Sequence, residues 1–323
     1  MTASRAETTP WAKLAIADLF PARTSPPPGA GAQHAQDWID QYRLCDQDPA
    51  ARARLLGSRM GQCVARVYPQ AGPEIRELAT DLFLWLIAYD DIHVEAPDAT
   101  PSTLLPQIAT FLAVLETGER TAGTTGTAST TGTGFTPALA DLAHRTRTVL
   151  PPGPAARLTA ALHASFLSML WDTTRRKTPV SLAEYLTMRP HSVLGRVSVT
   201  LVEPAAGLDL AATVHDHPDI RRLARALANL TAWTNDLYSF TYEHQHEVTT
   251  PLTLPALLAA HHHCSLPDAL DLAARMCNDE AGLARHLVGR LTAAERPLRL
   301  YATAFEQALA GISGCYGTPR YRT

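Results

Sequence analysis

Blocks rich in Ala, Leu, Arg and Glu make up most of the chain, and each has the length and apolar periodicity of an α-helix. Prolines separate the blocks, and the sequence lacks the alternating β-branched runs that are typical of strands. The pattern therefore predicts an all-α protein. We expect residues 1–323 to form one domain, because no linker separates two halves that each carry a complete core. The clearest predicted helices are Pro73–Tyr89, Ala155–Thr173, Ser181–Met188, Ile220–His244, Leu266–Leu291 and Pro297–Ile312.

Two segments fall outside this pattern. Residues 1–32 are expected to form an N-terminal arm, and the Pro- and Gly-rich stretch at 22–32 is stiff enough to lie extended across a helical body. Residues 117–136 contain nine threonines and five glycines. So little apolar area cannot offset the entropy of ordering, and we predict a flexible surface loop.

The composition narrows the functional classes. With 46% hydrophobic residues in 323 positions, the chain can bury a large core, which excludes an intrinsically disordered protein. A net charge of −3 offers no general attraction for polyanions, so binding to nucleic acid is not expected. No apolar run approaches the roughly 20 residues that cross a bilayer, and the first residues lack the features of an export signal. The five cysteines form no CxxC pair, which favours reduced thiols and a cytoplasmic location.

The first candidate site is the run DDIHVE at 90–95, which follows the apolar stretch DLFLWLIAY. If the helix continues at about 100° per residue, Asp91 and Glu95 lie about 40° apart and Asp90 lies about 100° from Asp91. Clustered carboxylates without a neighbouring Lys or Arg in sequence favour a hard divalent cation such as magnesium. The alternative is a solvated acidic helix terminus.

The second candidate site is a polar stripe inside an otherwise apolar helix. Asn235, Ser239 and Glu243 are spaced i, i+4 and i+8, so they advance by only about 40° per step. An amide oxygen, a hydroxyl and a carboxylate on one face suit a magnesium ion that keeps water or phosphate oxygens as its other ligands. The alternative is that these are ordinary polar positions, which the apolar surroundings make less favourable.

The motifs DDxxxE at 90–95 and NDxxSxxxE at 235–243 together resemble those of the class I terpene synthases, particularly the bacterial terpene cyclases. The resemblance covers nearly the whole chain, from FPARTSP at 20–26 to Arg320-Tyr321, and leaves out the Thr/Gly-rich segment. It implies a helical bundle around a central apolar pocket, a cluster of three Mg²⁺ ions, and ionisation of an acyclic isoprenyl diphosphate followed by carbocation cyclisation. On family frequency, farnesyl diphosphate is favoured over geranylgeranyl diphosphate. No nucleic acid or membrane partner is implied, and a homodimer is left open.

The resemblance also implies roles for single residues. The C-terminal pair Arg320 and Tyr321 would bind diphosphate and help to close the pocket, although PRYRT taken alone would be a frayed basic terminus. The residues assigned to the metal ions are Asp90 as a direct bridging ligand, Asp91 and Glu95 as residues that orient ligands, and Asn235, Ser239 and Glu243 as a chelating set.

Arg189 lies 46 positions before Asn235, where this family carries its diphosphate-sensing arginine. A guanidinium can bind phosphate oxygens through a two-pronged fork, whereas the alternative role is a surface helix cap. Pro190 is expected to kink or end the helix that carries Arg189. The resemblance then makes Ser192 the linker and Val193 the effector whose carbonyl assists ionisation, although glycine is more common at the effector position.

The chain departs from many relatives at the C-terminal wall of the pocket. A tryptophan is common six residues before the arginine of the C-terminal pair; here Gly314 takes that place, with Tyr316 nearby, which implies a roomier pocket. Aromatic faces can stabilise a carbocation, but a core role is the default expectation for each candidate. The candidates are Trp85, Tyr89, Trp233, Tyr238 and Phe305.

Three alternative functions are weighed. A chain-elongating prenyl diphosphate synthase would share the fold and the magnesium chemistry, but it would carry a second Asp-rich motif. An HD-type phosphohydrolase could use the run VHDH at 214–217, which we predict to be a loop with Asp216 or Asp219 capping the next helix. A noncatalytic helical binding protein would leave both oxygen-rich motifs unexplained.

Overall fold

In the computed structural model, every regular element among the described residues is helical, which confirms the all-α prediction. The described residues are 13–22, 25–117, 134–175, 178–246, 252–316, 318 and 320, without the side chains of 241–246. The helices are α1 (Ile16–Leu19), α2 (Ala32–Tyr42), α3 (Pro49–Gly57), α4 (Met60–Val67), α5 (Pro73–Tyr89), α6 (Pro101–Thr117), α7 (Phe135–Val149), α8 (Pro152–Arg175), α9 (Leu182–Ser192), α10 (Gly195–Ala205), α11 (Ala212–Asp216), α12 (Pro218–His246), α13 (Leu254–His262), α14 (Leu266–Thr292) and α15 (Arg296–Ile312).

The six predicted helices are all present, and most are longer than predicted. α8 begins at Pro152 instead of Ala155, and α12 begins at Pro218 instead of Ile220. Proline is well tolerated in the first turn of a helix, where its missing N–H would have no partner within the helix. These prolines therefore start the helices that they were expected to precede.

Pro190 does not end its helix. α9 continues through the proline to Ser192 and stops at Val193, whose N–H still donates to the carbonyl of Arg189 at 3.2 Å. A proline so close to the C-terminal end disturbs only the last turn, since the backbone beyond it leaves the helix anyway. The break in the chain thus comes three residues later than the sequence predicted.

The N-terminal arm, predicted over 1–32, contains a short helix and packs against α14. The side chain of Asn278 on α14 accepts from the backbone N–H of Ala15 at 2.8 Å and donates to the carbonyl of Lys13 at 2.9 Å. Phe20 is buried at the end of α1. Polar and apolar contacts therefore both attach this segment to the bundle.

The Thr/Gly-rich loop predicted over 117–136 lies mostly outside the described residues. Thr117 is the last residue of α6, and α7 begins at Phe135. The connection between α6 and α7 is therefore slightly shorter than predicted. Residues 118–133 are outside the described part of the chain.

The buried apolar side chains form one continuous cluster in which α5 and α12 are buried on most sides. α10 packs against both of these helices, while α14 and α15 pack against α12, and α4 and α7 pack against α5. α5 is buried from Leu78 onwards, and a helix segment that is buried on nearly all sides is apolar on nearly all sides, which explains why this part of α5 carries so few polar residues. Of the helices that the structure describes, none is both long and apolar enough to cross a membrane.

A disulfide between Cys63 and Cys315 corrects the prediction that all five cysteines are reduced. It joins α4 to the segment after α15, and the guanidinium of Arg66 on α4 also donates to the carbonyl of Gly314. α15 lies very close to α4, since a Cβ on Gly311 would be 2.5 Å from the carbonyl oxygen of Arg66. Residues separated by 252 positions meet only through this packing, so their spacing could not reveal the pair.

The run at 214–217, predicted to be a loop, instead forms most of the short helix α11. The Nε2 atom of His215 is 3.2 Å from the carboxylate of the buried Glu203, and the ring packs edge-on against Tyr301. Asp219 donates its backbone N–H to His217 at 3.2 Å. His215 therefore takes part in structural contacts of the core.

Candidate active site

The first motif begins where the buried helix α5 ends. Residues Asp90–Val94 form a π-helical turn, closed by a 2.8 Å hydrogen bond from the N–H of Glu95 to the carbonyl of Asp90. A π-helical turn spaces its hydrogen bonds five residues apart instead of four and is often found at functional sites. The angles predicted for Asp91 and Glu95 from α-helical geometry were therefore wrong, although the three carboxylates do lie together at this helix end.

Asp90 lies half-buried among other acidic groups. Burial raises its pKa well above the ordinary value, the carboxylates of Glu95, Asp172 and Asp91 raise it further, and Arg189 lowers it. Repulsion of this kind is relieved when a cation binds between the carboxylates. The surroundings of Asp90 thus fit a cation ligand.

Asp91 is held by cations from two distant parts of the chain. Arg320 donates from Nη1 and Nη2 to its two carboxylate oxygens at 2.8 and 2.7 Å, and the Nε of Arg54 lies 3.8 Å from one of them. The Asp91 side chain is only 3% exposed, so this fork-like pair is shielded from solvent on one side. The C-terminal segment is therefore attached directly to the first motif, whereas Tyr321 lies outside the described residues.

The second motif lies on α12, with the i, i+4, i+8 spacing that the sequence predicted. Ser239 is buried, and its Oγ has no hydrogen-bond partner among the side chains that the structure describes. The Oδ1 of Asn235 lies 3.5 Å from Nη2 of Arg189. The backbone of Glu243 continues the helix, and its side chain is outside the described part of the chain.

Arg189 connects the second motif with α9. Its Nε and Nη2 donate to Oδ1 of Asp236 at 2.9 and 2.7 Å, and its Nη1 lies 3.3 Å from the hydroxyl of Ser192. Because the guanidinium also lowers the pKa of Asp90, it lies close to both motifs. The structure thus brings Asp90, Asn235 and Arg189 to the same end of the bundle.

The chain breaks sharply between α9 and α10. Val193 ends α9, and Leu194 takes a left-handed conformation with φ 65°, which is uncommon for a residue other than glycine. α10 starts at Gly195, where an added Cβ would be 2.7 Å from the carbonyl oxygen of Ala228 on α12. Close packing against the helix of the second motif therefore determines the position of the break.

The residues described at this site fit a divalent cation in their chemistry. The orphaned hydroxyl of Ser239, the amide oxygen of Asn235 and the crowded carboxylate of Asp90 are hard oxygen donors of the kind that magnesium prefers. Within the described residues, no group of three His, Cys, Asp or Glu side chains converges as a ligand set. The donors are instead mixed, with carboxylate oxygens in the first motif and neutral oxygens in the second.

Sequence reasoning missed three residues around the site: Asp236, Asp172 and Arg54. Asp236 points about 100° away from the stripe of Asn235, so the spacing that identifies the stripe does not select it. Asp172 is buried on α8 and pairs with Arg175 at 2.7 Å. An acidic residue on the apolar face of a predicted helix was an available signal for Asp172, whereas nothing local in the sequence distinguishes Arg54.

The candidate aromatic residues divide between core and site. Trp85 and Tyr89 are buried against α6 and α7, and their rings stack with centroids 5.4 Å apart. Phe305 is buried beside Tyr301 on α15. These three side chains are therefore core residues. Tyr238 lies beside the second motif and stacks at 5.1 Å on Tyr316. The segment before Arg320 therefore places an aromatic ring against α12 two residues after the expected tryptophan position.

Comparison with known proteins agrees with this arrangement. Residues 81–281 match the model of the family described as terpene synthase family 2, C-terminal metal binding. The chain is 43% identical to labda-7,13(16),14-triene synthase of Streptomyces clavuligerus over 92% of this chain and 85% of that protein. It is 34% identical to (12E)-labda-8(17),12,14-triene synthase of Streptomyces anulatus over 99% of both chains.

A solved structure shows the same fold. The 2-methylisoborneol synthase of Streptomyces coelicolor A3(2), determined in complex with Mg²⁺ and 2-fluoroneryl diphosphate, superimposes with a TM-score of 0.76 at 19% identity. The match covers 91% of this chain and 92% of that one. The likeness therefore extends across most of the bundle.

Proposed function

Because this chain belongs to terpene synthase family 2, we propose that it ionises a C20 isoprenoid diphosphate and converts the resulting carbocation into a labdane-type hydrocarbon. Two relatives that align over most of the chain are named as labdatriene synthases, and labdatrienes are C20 hydrocarbons. Family frequency had favoured farnesyl diphosphate; the names of these relatives favour the C20 class instead. The matching family and the relatives are terpene synthases, which favours terpene formation from an isoprenyl diphosphate over chain elongation and HD-type hydrolysis.

One observation carries the mechanism: Nη2 of Arg189 lies 3.5 Å from the amide oxygen of Asn235 in the second motif, and the same guanidinium lowers the pKa of Asp90 in the first motif. A leaving diphosphate carries several negative charges that an apolar cavity cannot stabilise, so cations must surround the place where it leaves. Arg189 and Arg320 approach this place from α9 and from the C-terminal segment. Both guanidinium groups can bind phosphate oxygens through forked hydrogen bonds.

The family match covers its metal-binding region, so the chain binds a divalent metal. We propose that the chain binds three Mg²⁺ ions. Asp90 holds them on one side, where Asp91 and Glu95 orient the ligands, and the other side is formed by Asn235, Ser239 and Glu243. When bound, such ions neutralise the charge of the leaving diphosphate. Ser192 and Val193 keep the linker and effector roles that the resemblance implies, and Tyr321 joins Arg320 in binding diphosphate.

Product analysis tests the substrate class. The purified protein is incubated with geranyl, farnesyl and geranylgeranyl diphosphates and with a bicyclic labdadienyl diphosphate, with and without Mg²⁺, and the hydrocarbons are identified. Metal-dependent hydrocarbon from a C20 substrate supports the proposal, whichever of the two C20 substrates reacts. Turnover of farnesyl diphosphate alone would overturn the C20 assignment, and a chain-lengthened diphosphate formed with isopentenyl diphosphate would indicate a synthase of the elongating kind.

Two variants test the second motif. Asn235→Ala and Glu243→Ala are each expected to abolish turnover while helical content stays unchanged. Asn229→Ala is the matched control, since this side chain lies on the same helix but donates to Glu280 at 2.8 Å on the side facing α14. Wild-type turnover in either motif variant would refute the proposed metal ligands.

A further inference from the structure

We infer that Asp236 and Tyr185 are positioning residues that hold the guanidinium of Arg189 in the orientation that binds diphosphate; this inference rests on the proposed function. Asp236 lies within the second motif but off its metal-facing stripe, and Tyr185 lies outside both motifs. Neither side chain has to touch substrate or metal to act.

The carboxylate of Asp236 is fully buried and uses both oxygens. Oδ1 accepts from Nε and Nη2 of Arg189 at 2.9 and 2.7 Å. Oδ2 accepts from the hydroxyl of Tyr185 and from the backbone N–H of Leu254 at 2.7 Å. Four donors from two helices, α9 and α13, therefore determine the orientation of one carboxylate, which cannot rotate without losing several of them.

The helical register explains why these donors meet. Tyr185 and Arg189 are four residues apart on α9, so they project from the same face towards α12. Tyr185 is 0% exposed, and its hydroxyl occupies the oxygen of Asp236 that Arg189 does not use. The tyrosine thus keeps Oδ1 directed at the arginine.

The orientation matters because a guanidinium has five N–H donors in a rigid plane. When Nε and Nη2 engage Asp236, Nη1 lies on the side of Ser192 and the outer edge of Nη2 lies on the side of Asn235. The outer edge of Nη2 therefore faces the second motif, where the diphosphate is proposed to bind. A guanidinium that tilted away from this plane would keep its charge but lose its two-pronged contact with phosphate oxygens.

The decisive experiment is a double-mutant cycle between Tyr185 and Arg189. Tyr185→Phe keeps the buried ring and removes one hydroxyl, and Arg189→Lys keeps the charge but removes the fork. Tyr68→Phe is the matched control, because Tyr68 is equally buried and donates its hydroxyl to the carbonyl of Ser198 at 2.8 Å, away from Asp236. The rate of diphosphate release, the KM for substrate, the affinity for inorganic diphosphate with Mg²⁺ and the melting temperature are measured for each protein.

Tyr185→Phe is expected to lower kcat about tenfold and to weaken the binding of inorganic diphosphate, since a hydrogen bond to a charged group is lost. In the Arg189→Lys background the same substitution is expected to change kcat less than about twofold, because the fork that it positions is already missing. Tyr68→Phe is expected to leave kcat unchanged in both backgrounds.

Three outcomes overturn different statements. An unchanged kcat in Tyr185→Phe, or an equal effect in both backgrounds, refutes the positioning role alone. A wild-type kcat in Arg189→Lys refutes the role of Arg189 in the proposed function instead. Asp236→Asn supplies a second variant: if it folds with normal helical content yet binds inorganic diphosphate as tightly as the wild type, the carboxylate does not position the arginine.

Discussion

Substitution of Gly195 by alanine is expected to damage both stability and turnover. Gly195 starts α10 directly after the break at Val193, and it lies against α12. A Cβ at this position would be 2.7 Å from the carbonyl oxygen of Ala228, 3.0 Å from that of Pro190 and 3.2 Å from the Cα of Ala228. All three atoms belong to the backbone, so no flexible side chain can move aside.

The magnitude follows from these distances. To restore an ordinary contact of about 3.5 Å, α10 and α12 must separate locally by roughly 0.8 Å. Overpacking of this kind costs about 1–3 kcal/mol of folding free energy. A displacement close to 1 Å near reacting atoms can lower a rate by about a hundredfold, and the segment that moves follows Ser192 and Val193 in the chain.

Urea unfolding and product formation are measured together for this variant. Gly282→Ala is the matched control, because Gly282 lies on the exposed side of α14, where an added Cβ would meet no atom within 4 Å. This control is expected to gain about 0.5–1 kcal/mol, since alanine is the better helix former. The two glycine-to-alanine variants should therefore change stability in opposite directions.

The reasoning would be refuted if Gly195→Ala were as stable as the wild type and equally active. Normal turnover in a clearly destabilised variant would have a narrower meaning. It would show that the break between α9 and α10 can move without affecting ionisation, and it would remove the support for an effector role of Val193.

Arg320→Lys keeps the charge but removes the two-pronged contact with Asp91, at 2.7 and 2.8 Å. We expect kcat to fall about tenfold in a diphosphate-release assay, and an unchanged kcat would contradict the proposed role of Arg320 in binding diphosphate. Reduction of the Cys63–Cys315 disulfide is expected to cost about 2–4 kcal/mol of stability in urea unfolding, and Cys63→Ser should make the protein insensitive to reductant. Burial raises the pKa of Asp81 to about 6, so the folded state binds more protons than the unfolded state between about pH 4 and 6. The contribution of Asp81 to stability should therefore fall by roughly 3 kcal/mol as the pH rises through this range, and Asp81→Asn should abolish that part of the pH dependence in urea titrations at pH 4 and 7.

The sequence predicted six of the helices well and missed others of similar length. α5 and α14 combine strong apolar patterns with good helix formers, so local preference and burial agree. α6 and α10 were missed, since each contains an internal proline, Pro106 or Pro204, and α10 is rich in β-branched residues. These helices form because their apolar faces are buried against α8 and α12, which is information that a local pattern does not contain.

For the site, spacing along one helix could select residues on one face but could not identify contacts between helices. Asn235 and Ser239 were found because they share a stripe. The contact between Asp91 and Arg320 joins residues 229 positions apart, so the resemblance supplied the arginine but not its partner. The π-helical turn after α5 was also missed, since its hydrogen-bond pattern depends on the packing around the acidic run.

Asp236 shows why a residue beside a metal motif can be needed although it points away from it. A carboxylate on the metal-facing stripe would be shared with the metal ions and could not hold a guanidinium in one orientation. A carboxylate about 100° around the helix faces α9 and α13 instead, where Arg189 and the N–H of Leu254 are its partners. Under the proposed function, an arginine that binds diphosphate beside metal ions is held by a buried anion on a different face of the same helix. The adjacent positions of Asn235 and Asp236 place both groups within a single turn of α12.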